Sequence, residues 1–347
     1  MMVPFLISNR PLDAEILRGE RIHGDPIAFQ PLPAKPFSTG PVAFLRFWNA
    51  WGKSVSASRA VLSAARRAGP VQVVAAGGFV AAPVVKAARL EKIPIIMLNL
   101  DATPGRANQW IAKYATKVYT TAPVDQVWSR AKGLAQWTSI PPIVRRAARA
   151  PGVAPECRAK LGLEPDRPTL LVTGASQGAQ SMNSLMAALV RAHGPAFCDA
   201  RWQIIHQTGR FGTDELTAAY GAAGIPAKVE PFIREMGAAW GAADFALSRA
   251  GAGSVAEAWA NLVPTIFMPY PYHKDEHQER NAGPLVRAGG AVIATDQVEV
   301  PANMHSVAPV ILDMLKDPSK RWKMKAALAG LGPADGAIRV AEAILAG

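Results

Sequence analysis

The chain has 347 residues, 50% hydrophobic and 18% charged, with 29 Gly and 29 Pro. It is long enough for two globular domains and is not disordered, collagen-like or a small stapled scaffold. Cys157 and Cys198 lie far apart with no CxxC or Cys/His cluster, which excludes a disulfide or zinc framework and fits small core residues in a reducing compartment. The formal charge of +12 is unevenly placed: residues 1–150 hold 20 Lys+Arg and 7 Asp+Glu, net +13, whereas residues 151–347 hold 18 and 19, net −1. A one-sided basic surface suits nucleic acid or an anionic membrane leaflet, and it equally suits charge dispersed for solubility.

In chain order, the opening MMVPFLISNRP lacks the pattern of a signal or transit peptide. Strands are predicted at Val3–Ser8, Val71–Ala75, Ile93–Met97, Lys117–Thr120, Thr169–Thr173, Trp202–His206, Ala227–Val229, Phe245–Leu247 and Thr265–Met268. Amphipathic stretches lie between most of them, so the repeated β-α order predicts an α/β protein with parallel sheets and right-handed crossovers, one sheet per half. The most apolar run, Val73–Val85, is too short to span a membrane and contains Gly77, Gly78 and Pro83, which suit a strand, a turn and a helix start. A cytoplasmic protein is expected. Arg145–Pro155, RRAARAPGVAP, reads as the linker between a domain at 1–150 and one at 151–332. Residues 333–347 are expected to form a helix packing back toward the first domain.

A doubly wound domain normally opens on a strand, a Gly-rich turn and a helix. This chain opens on Val3–Ser8 followed by DAEIL, Asp13–Leu17, so a first β-α unit is expected to be missing. The helix predicted over Phe44–Arg67 places Phe44, Leu45, Trp48 and Trp51 at helical spacing beside Arg46 and Lys53. Two readings stand: a stripe packed on the sheet, or an interfacial patch for an anionic membrane.

Three later segments carry chemistry. GASQGAQSMN, Gly174–Asn183, is a small-residue turn into a helix, where free N–H groups favour phosphate or sugar oxygens and Ser176 has a hydroxyl to donate. SRAGAGSVAEAW, Ser248–Trp259, repeats that arrangement. Here Ser254 and Glu257 either close an S-x-x-E capping box, or leave Gly253 and Ser254 for a diphosphate and Glu257 for ribose hydroxyls. YHKDEHQERNA, Tyr272–Ala282, has zinc-like spacing at His273 and His277 but not the Glu-bearing helix of a zincin, so no metal is expected and a sugar-hydroxyl clamp fits better.

In their order, GASQGAQSMN, WQIIHQTG (Trp202–Gly209), PFIREM (Pro231–Met236), SRAGAGSVAE and DEHQERNA resemble the MurG family, peptidoglycan GlcNAc transferases that convert lipid I to lipid II. AAGGFVAAP (Ala75–Pro83), DATPGRANQW (Asp101–Trp110) and WNAW (Trp48–Trp51) extend the resemblance over nearly the whole chain. It implies a GT-B fold, two Rossmann-like domains facing a cleft, that uses UDP-GlcNAc with no cofactor or catalytic metal. It implies a polyprenyl-diphosphate-linked acceptor, a peripheral place on the cytoplasmic face of the inner membrane, and no nucleic acid.

Residue by residue, the resemblance assigns Ser176 and Gln177 to the donor loop, the Ile233 backbone and Met236 to uracil, and Arg249 to the nucleotide wall. It gives Gly253 and Ser254 to the diphosphate, Glu257 to ribose, and His277 and Gln278 to the sugar. Gly77, Gly78, Phe79, Asn99 and Asp101 fall on the acceptor side. The family's opening GGTGGH unit, with its proposed catalytic His, would precede Met1, Phe79 replaces a usual Tyr, and Leu98–Asp101 replace a usual HEQN. Asp101 is the remaining candidate for the base of an inverting transfer, or a turn-capping Asp ahead of Pro104. The alternatives are a catalytically weakened UDP-sugar-binding membrane protein, a glycolipid transferase, or a UDP-GlcNAc epimerase.

Overall fold

The computed structural model describes residues 3–22, 24–37, 40–123, 136–174, 179–270 and 277–346. The chain divides into two compact units, Met1–Asn99 with Thr103–Ser139, and Leu100–Ala102 with Ile140–Gly347. The first unit holds β1 (Phe5–Ser8), α1 (Pro11–Arg18), β2 (Arg21–Ile22), β3 (Asp25–Pro26), β4 (Phe29–Leu32), α2 (Pro41–Ala68), β5 (Val73–Ala75), α3 (Gly78–Leu90), β6 (Ile95–Asn99), α4 (Arg106–Ala112), β7 (Lys117–Thr120) and β8 (Gln136–Ser139). Its main sheet is parallel in the order β5-β6-β7-β8. β1 and β4 form a separate parallel pair and β2 and β3 a short antiparallel one, where a single sheet was expected.

Physical reasons account for the shifted boundaries. β6 begins at Ile95 rather than Ile93 because Pro94 has no N–H to give the ladder, although its carbonyl still accepts from Val73 N at 3.0 Å. β4 escapes a pattern search because Pro31 interrupts it; paired only with β1, it tolerates the missing donor. α2 starts on Pro41 at its first turn and stops at Gly69, whose φ of 154° lies outside the helical region. Its buried stripe, Ala50, Ser54, Ser58 and Leu62, recurs every four residues, and the small side chains let α2 lie close against α3.

The second unit contains α5 (Ala154–Lys160), β9 (Thr169–Thr173), α6 (Gln180–Asp199), β10 (Gln203–Gln207), α7 (Thr213–Ala222), β11 (Ala227–Glu230), α8 (Met236–Ala242), β12 (Phe245–Ser248), α9 (Ala252–Ala260), β13 (Thr265–Phe267), α10 (His277–Arg287), β14 (Ala291–Ile293), α11 (Val300–Ser306), α12 (Ala308–Lys316), α13 (Pro318–Gly330) and α14 (Gly336–Leu345). Its six parallel strands run β11-β10-β9-β12-β13-β14, the doubly wound order in which the chain reverses direction between β9 and β12. Every residue of β9 and β12 is buried. Leu170, Val172, Ile204, Phe245 and Leu247 serve the core on one face, and Leu171, Ile205, Ala246 and Phe267 that on the other.

The segment read as the linker is structured: a short 3-10 turn occupies Arg146–Ala148 and α5 starts at Ala154. Gly237 and Gly241 of α8 sit against residues 147–150, where a Cβ at Gly237 would lie 2.2 Å from the Arg149 carbonyl oxygen. α14 is anchored within the same unit, Gly336 N donating to Pro142 O at 3.2 Å.

Candidate functional site

In a doubly wound sheet the crevice beyond the strand C-termini, where the winding reverses, takes ligands. Here the loops after β9 and β12 flank that point. Ser176 and Gln177, on the loop after β9, lie outside the described residues, as do His273 and Asp275.

The loop after β12 leads into α9, whose N-cap is Gly251. Ser254 therefore sits inside the first turn, and no side-chain cap hydrogen bond forms. The capping-box alternative is overturned, because the helix starts before the serine that was to cap it. Glu257 instead faces residues remote in sequence: Trp240 Nε1 donates to its Oε2 at 2.9 Å, and the exposed Arg145 guanidinium lies 3.5 Å from its Oε1. Burial raises the Glu257 pKa, opposed by the Trp240 hydrogen bond and the Arg145 charge. Among the described residues no atom lies within 4 Å of where a Gly253 Cβ would stand, so a ligand can approach the backbone there.

Ile233 is buried and its N–H already donates to Gln207 Oε1 at 3.0 Å, so a base that used this N–H would have to displace the Gln207 amide. Met236 opens α8 next door. Gln278, in the first turn of α10, accepts from Tyr270 N at 2.9 Å, which leaves its amide NH₂ to donate elsewhere. One turn on, buried Asn281 accepts from Ala102 N at 2.8 Å and donates to Asp101 Oδ1 at 3.2 Å. The same amide reaches Ala250 O at 3.4 Å, so Asp101 and the β12–α9 loop share one bracket.

Arg249 is only 8% exposed at its side chain and pairs with Asp296, 0% exposed, at 2.8 Å. Its guanidinium also donates to Met268 O at 2.9 Å, Pro269 O at 3.2 Å and Ser181 Oγ at 3.0 Å, and it lies over the Tyr270 ring. Asp296 further accepts from Ser181 Oγ, Val298 N and Asn303 Nδ2 at 2.6, 2.8 and 2.9 Å. Burial alone would raise its pKa, but these hydrogen bonds and the Arg249 charge bring it below its usual value.

His206, within WQIIHQTG, is a core residue. Asn183 Nδ2 donates to Thr208 O and Phe211 O, both at 3.0 Å, so Asn183 Oδ1 must accept from His206 Nε2 at 3.1 Å. That tautomer leaves Nδ1 to accept from the Tyr220 hydroxyl at 2.7 Å. Burial pushes the His206 pKa down to about 3, so the ring is neutral.

In the first unit, Gly77 and Gly78 have φ of 90° and 78°, a left-handed pair that glycine adopts without strain. Asn108 Oδ1 accepts from Gly78 N at 3.0 Å, and a Cβ at Gly77 would lie 2.5 Å from that oxygen. Phe79 packs under the Arg10 guanidinium, 5.3 Å from the ring centre, and buried Asn99 donates to Thr120 Oγ1 at 3.1 Å. On α2, Phe44, Leu45 and Trp48 are 40%, 70% and 52% exposed, so the sheet-packed reading of this stripe does not hold for these three. Trp51 is half-buried against Trp110, and Phe37 and Phe47 complete the aromatic array. Beside it runs an open groove of about 290 Å³ lined by Trp51, Val55, Arg59, Lys86 and Leu90. Among the described residues, no helix is long and apolar enough to cross a membrane.

Sequence reasoning did not single out Arg145, Trp240, Asn281, Asn108 or Asp296. Arg145, Asn108 and Asn281 lie inside contiguous motifs, whereas Trp240 and Asp296 carry no local signal, because only the fold brings them to their partners.

Residues 169–340 match the glycosyltransferase family 28 C-terminal domain, and residues 3–120 match the family 28 N-terminal domain. A UDP-N-acetylglucosamine–N-acetylmuramyl-(pentapeptide) pyrophosphoryl-undecaprenol N-acetylglucosamine transferase of Nocardioides sp. is 35% identical over 294 residues, 84% of this chain and 76% of that protein. A protein of the same name from Xylella fastidiosa is 35% identical over 297 residues, 85% of this chain and 77% of that one. The crystal structure of Acinetobacter baumannii MurG superposes with a TM-score of 0.70 at 22% identity, covering 100% of this chain and 91% of that one, a likeness of fold.

Proposed function

The chain belongs to the MurG family, and from that premise we propose a division of labour between its two units. It is a GT-B hexosyltransferase that moves GlcNAc from UDP-GlcNAc to lipid I, giving lipid II in peptidoglycan synthesis. The second unit holds the donor. The observation that carries this reading is the reversal of winding between β9 and β12, with the open Gly253–Ser254 turn and the oriented Glu257 carboxylate following β12.

In this reading the first N–H groups of α9 meet the diphosphate and Glu257 accepts from the ribose hydroxyls. Trp240 fixes which way that carboxylate points, and the exposed Arg145 stands beside it as a cation for the nucleotide. Ser176, Gln177, Ile233, Met236, His277 and Gln278 complete the donor side. The acceptor hydroxyl oxygen attacks the anomeric carbon as the bond to the diphosphate oxygen breaks, which inverts that centre. UDP leaves, and the hydroxyl proton passes to a base. Asp101 is that base, aimed by Asn281.

Gly77, Gly78, Phe79 and Asn99 belong to the acceptor side, where Asn108 keeps the glycine turn open. Phe44, Leu45, Trp48 and Trp51 rest on the anionic cytoplasmic leaflet, drawn there by the +13 charge of residues 1–150. The test is transfer of labelled GlcNAc from UDP-GlcNAc to a lipid I analogue, followed by product mass. Donor hydrolysis or epimerisation without a lipid II product would sink the reading.

A further inference from the structure

The Arg249–Asp296 pair belongs to no step of the transfer described above, yet it is buried at the strand ends where the donor is held. Its partners come from four chain segments. Ser181 lies in the first turn of α6, directly after the loop that follows β9. Arg249 follows β12, Met268 and Pro269 follow β13, and Asp296 follows β14 and is tied through Asn303 to α11. One guanidinium thus bridges both sides of the point where the sheet reverses.

The geometry is specific to an arginine. Its planar fork donates to two carbonyls and a hydroxyl and pairs with a carboxylate while its face lies over Tyr270, 5.7 Å from the ring centre. A lysine in its place keeps the charge but has one nitrogen and no plane. Asp296 is equally committed: Oδ2 accepts from Ser181 and pairs with the Arg249 charge, and Oδ1 accepts from Val298 and Asn303. With these internal partners, the guanidinium is held by protein groups rather than aimed as a point contact for a ligand. It ties the β12–α9 loop, which leads to Gly253 and Ser254, to Met268 and Pro269, next to Tyr270, whose N–H donates to Gln278.

We propose that Arg249 and Asp296 are positioning residues for the donor, tying the start of α6, the β12–α9 loop and Met268–Pro269 together before UDP-GlcNAc arrives. The proposal rests on the donor reading of the second unit. Preformed loops lower the ordering cost of binding, and misplacing such loops by about 1 Å costs on the order of a hundredfold. All four segments belong to the second unit, so the effect is read first in donor affinity.

The experiment uses the full chain, with UDP-GlcNAc as the probe. Arg249→Lys keeps the buried ion pair, and Arg249→Met with Asp296→Leu replaces it by apolar groups, a change that proteins commonly tolerate. Arg249→Lys is expected to melt within a few degrees of the parent and the double variant lower, since it leaves Ser181, Asn303 and the Val298 N–H without their acceptor. Both, once folded, should bind UDP-GlcNAc about ten- to a hundredfold more weakly. KM for the donor should rise likewise, with KM for the lipid acceptor unchanged. A role in stability alone would lower the melting temperature and leave affinity in the folded protein intact. If the parent binds and both folded variants bind as tightly, the positioning role is overturned and the donor reading stands. If the parent itself does not bind UDP-GlcNAc, the donor reading falls and this inference with it.

Discussion

The second unit ties the polar side chains at its strand ends to one another, whereas the first leaves a row of aromatic side chains in water. Around β9 and β12, Arg249, Asp296, Ser181, Asn281, Trp240 and Glu257 each have a partner from a distant segment. On α2, Phe44, Leu45 and Trp48 stay exposed, and Phe44 and Trp48 lie edge-on to neighbouring aromatic rings. Buried polar networks select one geometry, because an unpaired member is costly. Exposed apolar rings select only a phase boundary. The two units therefore offer different physics to a partner: one directed hydrogen bonds, the other apolar area and charge.

The sharpest way to break this comparison is at Asp101, which Asn281 binds into the polar network. Asp101→Asn should slow GlcNAc transfer by about two to four orders of magnitude while UDP binding by calorimetry stays as in the parent. Transfer at the parental rate would move the base elsewhere.

Next in size is Glu257→Ala, expected to weaken UDP binding by about 1–3 kcal/mol in the same calorimetric assay. Trp240→Phe, which removes the donor but keeps an aromatic ring, should reproduce part of that loss. Unchanged affinity in both would leave Glu257 a purely internal partner of Trp240 and Arg145.

A third test concerns His206, neutral in the fold with its pKa near 3 against an ordinary 6.5. The unfolded chain binds the proton first, so this contribution to stability is complete above pH 6.5 and is lost as pH falls from 6.5 toward 3. The slope approaches about 1.4 kcal/mol per pH unit, or roughly 2 kcal/mol between pH 6.5 and 5. Thermal unfolding at those two values should show a smaller difference for His206→Gln than for the parent. Equal differences would mean that His206 is not what couples this unit to pH.

The smallest effect is expected at the aromatic surface. Trp48→Ala with Trp51→Ala should reduce flotation with vesicles of anionic phospholipid by several-fold, at roughly 1 kcal/mol or more, and added salt should reduce it further. Neutral vesicles should bind neither form well. A double variant that folds and floats like the parent would place the contact elsewhere.

Much of this was legible in the sequence, for a physical reason. Strands buried on both faces, such as TLLVT and FALS, announce themselves as apolar runs between turn residues, so most of the second sheet could be read from residue type alone. β4, β8 and β14 could not, since Pro31 interrupts one, Gln136 to Ser139 are mostly polar, and Ala291–Ile293 is three residues long. The candidate site was legible where motifs are contiguous, as in SRAGAGSVAE. It was illegible where a partner arrives through the fold: nothing near Trp240 says that its indole will orient Glu257, and nothing near Asp296 says that it will meet Arg249. Ser254 and Glu257 show the converse, a contiguous pattern that fits a cap but lies inside the helix.

α2 is 28 residues long, about 42 Å at 1.5 Å per residue, yet its buried stripe spans only Ala50 to Leu62. The turns that carry Phe44, Leu45 and Trp48 thus lie N-terminal to the buried stripe, with Phe37 against Phe44. Such a tip behaves as a stiff probe rather than a loose loop. Inserting its rings into a lipid interface would require no folding of the segment, so the free energy of contact should follow the apolar area submerged, with little conformational entropy to subtract. Its depth would be set geometrically, by how far the rod projects before the unit's own surface meets the headgroups.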